Sequence, residues 1–486
     1  MVAEDGAPAG VPPSVREHGP KPMMDSPLSR SLQLLVALGL AGAASAQDPQ
    51  PLMGEPVLGL TPQERALFDE GLAAFTAPVL PSEGAGPIFN ELTCAGCHNV
   101  PAIGGFGGRR VTRFGIAATS TTPFQALEGF GGTLLQDQSF SIACRETLPS
   151  QANHTALRGT PILFGLGLIE AIPDGALVDR ANAQPPGLVG RVHSTIPLET
   201  PAGPRRVGRF GWKGGIATVD SFSIDAALNE MGLTSQFLPV ENAPNGDLAL
   251  LAQCDTVSDP EDAPDAAGFT RTDRFTHFQR FLAAPAQTPR SGMSGEAVFE
   301  AVGCAECHVR SYVTGQVAEQ ALSGQQIQPY SDFLLHDMGA LGDGIVEGQA
   351  TETEMMTRPL WGLAQRPSFL HDGRATGGTF AQNVEASVAE HGGTALPSAQ
   401  AFAALSAAEK DLVFDFLASL GRAEFDWDTN NTIDEFDWFF LYPLMSGPDP
   451  STSITPDDDG AIGDVDQDGD FDLVEFGKLQ RVFTGQ

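Results

Sequence analysis

Cys94-Ala-Gly-Cys97-His98 and Cys304-Ala-Glu-Cys307-His308 decide how this chain is read. Each is a C-x-x-C-H pattern, in which two thiols can bond to the vinyl groups of a haem and the adjoining imidazole can take the proximal iron position. C-x-x-C pairs also serve zinc and dithiol redox sites, but neither requires a histidine directly after the second cysteine. Two such strings in a chain with six Cys and nine His are read as two attachment sites for haem c.

The amino terminus suits the compartment in which such attachment occurs. A charged stretch ending at Arg30 is followed by an apolar run over residues 31–42 and then Ala-Ser-Ala46 before Gln47, the order of an export signal and its cleavage site. Residues 1–46 are therefore assigned to a signal region, with translation starting at Met23 or Met24, because the Pro- and Gly-rich letters before them do not suit a signal. No later stretch offers eighteen consecutive apolar residues, so no membrane span is expected in the mature chain. A periplasmic, secreted or cell-surface location follows. The formal charge of -34 argues against a nucleic-acid partner, which needs clustered Lys and Arg. Cys144 and Cys254 remain over, an even pair that oxidising surroundings would bridge.

Both motifs sit in a degenerate repeat. Phe89 five residues before Cys94 aligns with Phe299 before Cys304. A helix is expected ahead of each, opened by Thr61-Pro-Gln-Glu64, a capping box, and by Ser294 with Glu296. Downstream, Ile162-Leu-Phe-Gly165 matches Pro359-Leu-Trp-Gly362, and Pro173-Asp-Gly175 matches His371-Asp-Gly373. The offset of that last pair also sets His193 opposite His391, so both halves place a second histidine where a distal ligand would stand. His391 ends a helix-like stretch over residues 379–390 and precedes Gly-Gly, a turn able to reach a haem face. Met231 and Met338 compete as sixth ligands. A last helix opens at Ser406-Ala-Ala-Glu409 and stops at Gly421.

Beyond Gly421 the letters turn acidic. Asp464, Asp466, Asp468, Asp470 and Glu475 occupy ligand positions of a twelve-residue EF-hand calcium loop with Gly469 at its sixth place. Asp426, Asp428, Asn430 and Asp437 form a weaker copy with Asn431 in place of glycine. The pair resembles a dockerin-type module, which implies calcium and a cohesin-like partner; a calcium-stabilised cap is the alternative.

Five further strings complete the picture: Gly165-Leu-Gly-Leu-Ile-Glu170-Ala-Ile-Pro-Asp, Gly208-Arg-Phe-Gly-Trp212-Lys213, Tyr330-Ser-Asp-Phe-Leu-Leu-His336-Asp-Met338-Gly, Pro359-Leu-Trp361-Gly-Leu and Phe369-Leu-His371-Asp-Gly-Arg374. With the two haem motifs they resemble the di-haem cytochrome c peroxidase and MauG superfamily, and more closely its di-haem oxidoreductase (thiol-oxidoreductase-like) branch. The expected fold is mainly α: two cytochrome c-like haem domains in tandem, over residues 57–288 and 289–422, and a small EF-hand or dockerin-like α tail over residues 423–486.

The resemblance implies a peroxide-reactive haem held by His98 and an electron-relaying haem held by His308 with His391. It implies Trp212, or else Trp361, as the aromatic residue between them. An external redox protein would donate the electrons, and hydrogen peroxide is the expected oxidant. Peroxide cleavage needs a proton carrier and a cation; Glu170 is assigned the first role, and Arg158 or Arg209 the second. If His193 closed the first iron, the chain would be a peroxidase active only after reduction releases that ligand, or a non-catalytic bis-His di-haem electron carrier. A thiol-oxidising role has only the branch label behind it, since no Cys is left outside the motifs and the Cys144/Cys254 pair.

Overall fold

A computed structural model describes residues 49–289, 292–445 and 453–484. The expected export signal lies outside these residues. No helix among them is long and apolar enough to cross a membrane.

Two helix crossings organise the chain. The Pro62–Thr76 helix starts where Thr61 and Glu64 cap each other and proline fixes the first turn. It packs along the Arg271–Phe281 helix, itself opened by a Thr270/Asp273 box. Gly71 lets the two backbones meet, since a Cβ there would stand 2.6 Å from the Arg274 carbonyl and 2.7 Å from the Phe278 nitrogen. In the second half the Ser294–Ala301 helix crosses the Ala407–Ser419 helix, and Gly295 serves the same purpose against the Leu412 carbonyl.

Four residues after each glycine, one helical turn on and so on the same face, comes a phenylalanine. Phe75 lies 4.7 Å from the Phe278 ring and 6.2 Å from that of His98. Phe299 lies 5.4 Å from Phe416 and 6.2 Å from His308. The counterpart of Phe299 is thus Phe75, not Phe89 as alignment on the cysteines suggested. Residues 77–93 intervene between helix and motif in the first half only, and Phe89 sits in the short strand Ile88–Phe89 against Phe140. Any side chain at Gly295 must push the crossing apart. Gly295→Ala is expected to cost about 1–3 kcal/mol, the range of core overpacking, read as a lower denaturant midpoint with unchanged slope.

Each half closes alike: the left-handed Gly165 donates its N–H to Leu282 at 3.2 Å, and the left-handed Gly362 donates to Leu420 at 2.8 Å. Each acceptor caps its half's last helix. The halves also interdigitate, because Trp361 of the second is buried in the core built by Phe75, Phe164 and Phe278 of the first.

Short antiparallel ladders lie between the helices. The largest orders Leu134–Leu135, Arg110–Gly115 and His154–Gly159, with Val111 opposite Arg158 and Arg113 opposite Ala156, which puts Arg113 and Arg158 on one face. Two-stranded ladders join His193–Thr195 to Arg206–Gly208 and Leu335–Asp337 to Glu354–Met356. Cys144 and Cys254 are bridged, with Cα atoms 6.0 Å apart.

The tail has its own core of Phe425, Ile433, Leu441, Val465, Phe471 and Leu479. It is stitched to the segment just ahead of the Pro62–Thr76 helix: Asn431 accepts from the Met53 N–H and donates to the Met53 carbonyl, both at 2.9 Å. Ser294, expected to cap its helix, is instead its first residue, and its N–H and hydroxyl both donate to Asp457 of the tail.

Candidate haem centres

The second motif borders a cavity of about 440 Å³ lined by Cys304, Cys307, His308, Met338 and His391, within the size range of cofactor pockets. His308 directs Nδ1 at the Tyr330 carbonyl, 3.0 Å away, and His391 directs Nδ1 at the Ser387 carbonyl, 2.8 Å away. A ring whose Nδ1–H is spent on a carbonyl presents a basic Nε2, the arrangement that orients a metal ligand. His391 reaches this place because the Phe380–Ala389 helix, capped by Thr379 and Gln382, ends there. His391 is also close enough to act electrostatically on His308. His336 lines the cavity too, but Asp332 holds its Nε2 at 2.8 Å.

Two guanidiniums complete this cavity, and sequence reading missed both. Arg358 and Arg366 open onto it, and burial pushes them down to about 9 and about 10, with no carboxylate acting on either. Arg358 donates to the Gly211 carbonyl at 3.0 Å; Arg366 has its Nε buried without a partner. Unpaired cations facing an apolar cavity call for an anionic occupant, and haem propionates meet that need. The only signal in the sequence was that each arginine precedes a proline.

At the first motif, His98 Nδ1 faces the Gly105 carbonyl at 3.2 Å. Gly105 and Gly107 let the following loop fold tightly over the motif, since a Cβ at either would collide with the carbonyl of Val100 or of Cys97. Burial lowers both His98 and His308 to about 4, which keeps the imidazoles neutral, the form that binds metal. The Cys-Cys-His donor sets at both motifs, and the two cations at the second, thus fit haem. The two centres differ in their histidines: His391 and His336 both act electrostatically on His308, whereas among the described residues no second histidine acts so on His98.

His193, the expected second ligand of the first iron, has no free ring nitrogen to offer. It lies in a strand, not at a helix end, and both ring nitrogens are engaged: Nδ1 with the Lys213 carbonyl at 2.8 Å, Nε2 with the Gln349 N–H at 3.2 Å. Met231 is buried with its sulfur 3.8 Å from that of Cys94, beside a haem attachment atom.

Three residues assigned to catalysis are occupied elsewhere. Arg209 is a fully buried strut that donates to the carbonyls of Val207, Ile169, Glu170 and Ile172 and to the Asp174 carboxylate. Glu170 pairs with Arg280 at 3.4 Å, and burial raises its proton affinity. Arg158 holds Asp343 at 2.7 Å and also Glu347, while Lys213 holds Asp343 at 2.9 Å. The carboxyl that bears on both Cys94 and Cys97 is Glu230, its proton affinity raised by burial, its Oε2 accepting from Asn90 at 2.8 Å.

Trp212 spans the two halves. Its Nε1 donates to Gly159 at 2.9 Å, its ring meets His371 edge-on at 6.3 Å, and the Arg358 guanidinium lies 5.5 Å from its centroid. It also forms part of the second cavity's wall. Trp361 is buried away from that wall.

In the tail, Asp426, Asp428 and Asp437 converge to within 4.8 Å, as do Asp464, Asp466 and Asp468, and Asp470, Asp472 and Glu475. Asn431 and Gly469 are both left-handed, so asparagine takes the turn usually given to glycine. Asn430 turns its side chain to Asp428 at 3.0 Å and to Thr432. Lys478, on the Leu473–Val482 helix, stands 3.4 Å from Glu475 and 3.7 Å from Asp466, a cation set against the second loop.

Residues 139–420 match the family described as "Di-haem oxidoreductase, putative peroxidase". The matched segment holds the second motif, the disulfide and Trp212, and the first motif lies just upstream. No curated protein matches the chain. A di-haem family implies two haem groups, for which two C-x-x-C-H motifs offer two attachment sites, and the match covers more than half of the residues: the chain belongs to the di-haem oxidoreductase family.

Proposed function

We propose that this protein is an exported di-haem c oxidoreductase that reduces hydrogen peroxide at the haem of Cys94, Cys97 and His98, with electrons passed through the haem of Cys304, Cys307 and His308. The observation that supports this reading is the inequality of the two centres: His391 shares the cavity of His308, and among the described residues no second histidine acts on His98. A six-coordinate iron relays electrons, and an iron with a free position can meet a small oxidant. Bound haem supplies the redox-active iron at which the oxygen–oxygen bond is cleaved.

The chain's own residues do the rest. His98 and His308, with Nδ1 anchored on backbone, would each ligate a haem iron. His391 would be the second ligand at the relay site, Arg358 and Arg366 would meet the negative charge of its haem, and Trp212 would lie on the path between the halves. Glu230, in place of Glu170, holds the proton that the leaving oxygen requires. Export, the Cys144–Cys254 bridge and haem attachment belong together in an oxidising compartment. The tail is proposed to bind calcium through its acidic loops and, as a dockerin-like module, to dock a cohesin-like partner; the exposed Phe439 and Leu473 support a docking surface.

The test is peroxide added to the reduced protein while its Soret band and consumption of peroxide are followed. Change at one of two haems with turnover is expected, and Glu230→Gln is expected to slow turnover about 10²-fold or more while leaving both haem spectra intact. Two haems inert to peroxide in every redox state would leave only an electron carrier.

A further inference from the structure

A second set of carboxylates lies outside both haem centres and outside the tail. Between the Val219–Met231 and Arg271–Phe281 helices lies the short Leu248–Cys254 helix, which ends on the disulfide-bonded Cys254 and is flanked on both sides by irregular chain. There an oxygen from each of Glu241, Asp259 and Glu261 lies within 4.8 Å of the other two.

Three observations set this cluster apart from a solvated acidic surface. Glu241 is only 5 % exposed, and neither of its carboxylate oxygens has a hydrogen-bond partner; the adjacent Asn242 N–H attracts it without reaching bonding geometry. Its chief electrostatic neighbours are Glu261, Asp259 and Asp255, all acidic. Finally, Thr234 orients the other two carboxylates, its N–H donating to Glu261 at 3.1 Å and its hydroxyl to Glu261 and, at 3.3 Å, to Asp259. Gly84 makes room for this, because a Cβ at its left-handed position would collide with the Glu261 side chain. A buried carboxylate without a partner is costly, so the site must take up either protons or a metal cation.

We propose that Glu241, Asp259 and Glu261 form a binding site for a divalent cation of the calcium type, which ties the stretch around Cys254 together. The donors are hard oxygens with no nitrogen or sulfur among them, which selects against zinc and copper. Three carboxylates on an irregular loop suit the flexible, high-coordination geometry of calcium better than the strict octahedron of magnesium. Burial, followed by Glu261 and Asp259, pushes the Glu241 carboxyl up to about 10. The proposal does not depend on the haem chemistry.

The test uses the full-length holoprotein, stripped with a chelator and re-equilibrated with calcium, with bound calcium counted by elemental analysis. Glu241→Gln and, separately, Asp259→Asn are each expected to lower bound calcium by one per chain with both haem bands unchanged. A tail variant, Asp426→Asn with Asp464→Asn, is expected to retain that ion. Thermal unfolding adds a sign: after chelation Glu241→Gln is expected to melt no lower than the unaltered protein, whereas in calcium it melts below it. If Glu241→Gln binds as much calcium as the unaltered protein, or the tail variant binds none, the cluster merely shares protons and the proposal fails.

Discussion

Replacing His391 by alanine is expected to double the carbon monoxide bound by the fully reduced protein, from one equivalent per chain to two. His391 lines the same cavity as His308, with its Nδ1 spent on the Ser387 carbonyl and its Nε2 free. Without that ring the second iron keeps His308 and gains an open position, so its low-spin spectrum should turn high-spin in the oxidised state. Met338 lines the cavity as well, and Met338→Leu is expected to leave the coordination unchanged. Carbon monoxide binding that stays at one equivalent in His391→Ala, but rises in Met338→Leu, would give the sixth position to methionine. The consequence for function is large, since the axial ligand sets the potential and hence the direction of electron flow.

Asp343→Asn is expected to be the most destabilising single change away from the haems. Its side chain is fully buried between Arg158 of the first half and Lys213, while the Lys213 ammonium also donates to the carbonyls of Thr351 and Glu354. Burial alone would raise its proton affinity, yet the two cations hold the Asp343 carboxyl below its ordinary range. Arg158 keeps a second carboxylate, Glu347, so its own affinity for the proton is raised, whereas burial lowers that of Lys213. Asparagine would leave the buried Lys213 without its ion-pair partner, with only Glu347 acting on it from farther off, a loss of about 3–5 kcal/mol at neutral pH. A depressed carboxyl contributes stability above its unfolded value and loses it as pH falls through the folded one. The gap between variant and unaltered protein should therefore be widest at neutral pH and narrow below about pH 4. Denaturant unfolding at both pH values checks this; a gap that widens in acid would show that the pair does not carry the effect.

What could be read from the sequence was local. Capping depends on residues a few positions apart, so the Thr61 and Ser406 caps and the helix that ends just before His391 were legible. Pairings across the chain were not. Phe89 aligned with Phe299 by counting back from cysteine, but the ring that occupies the position is Phe75, because an insertion separates helix from motif. His193 shared an offset with His391, but a strand turned both its nitrogens to backbone. Glu170 and Arg209 have the right chemistry for peroxide cleavage, and tertiary contacts alone show that they brace one another's surroundings. The short ladders escaped notice because their strands run two to six residues with glycine and charge mixed in. Arg358 and Arg366 became visible only once the cavity they face was formed.

The most direct measurement is electron paramagnetic resonance of the oxidised, unmodified protein, whose mass has been shown to include two haems. One low-spin signal of bis-histidine type and one high-spin signal, in equal amounts, are the result expected from a closed centre at His308 and an open one at His98. Two low-spin signals, or a chain that carries no haem, would contradict it.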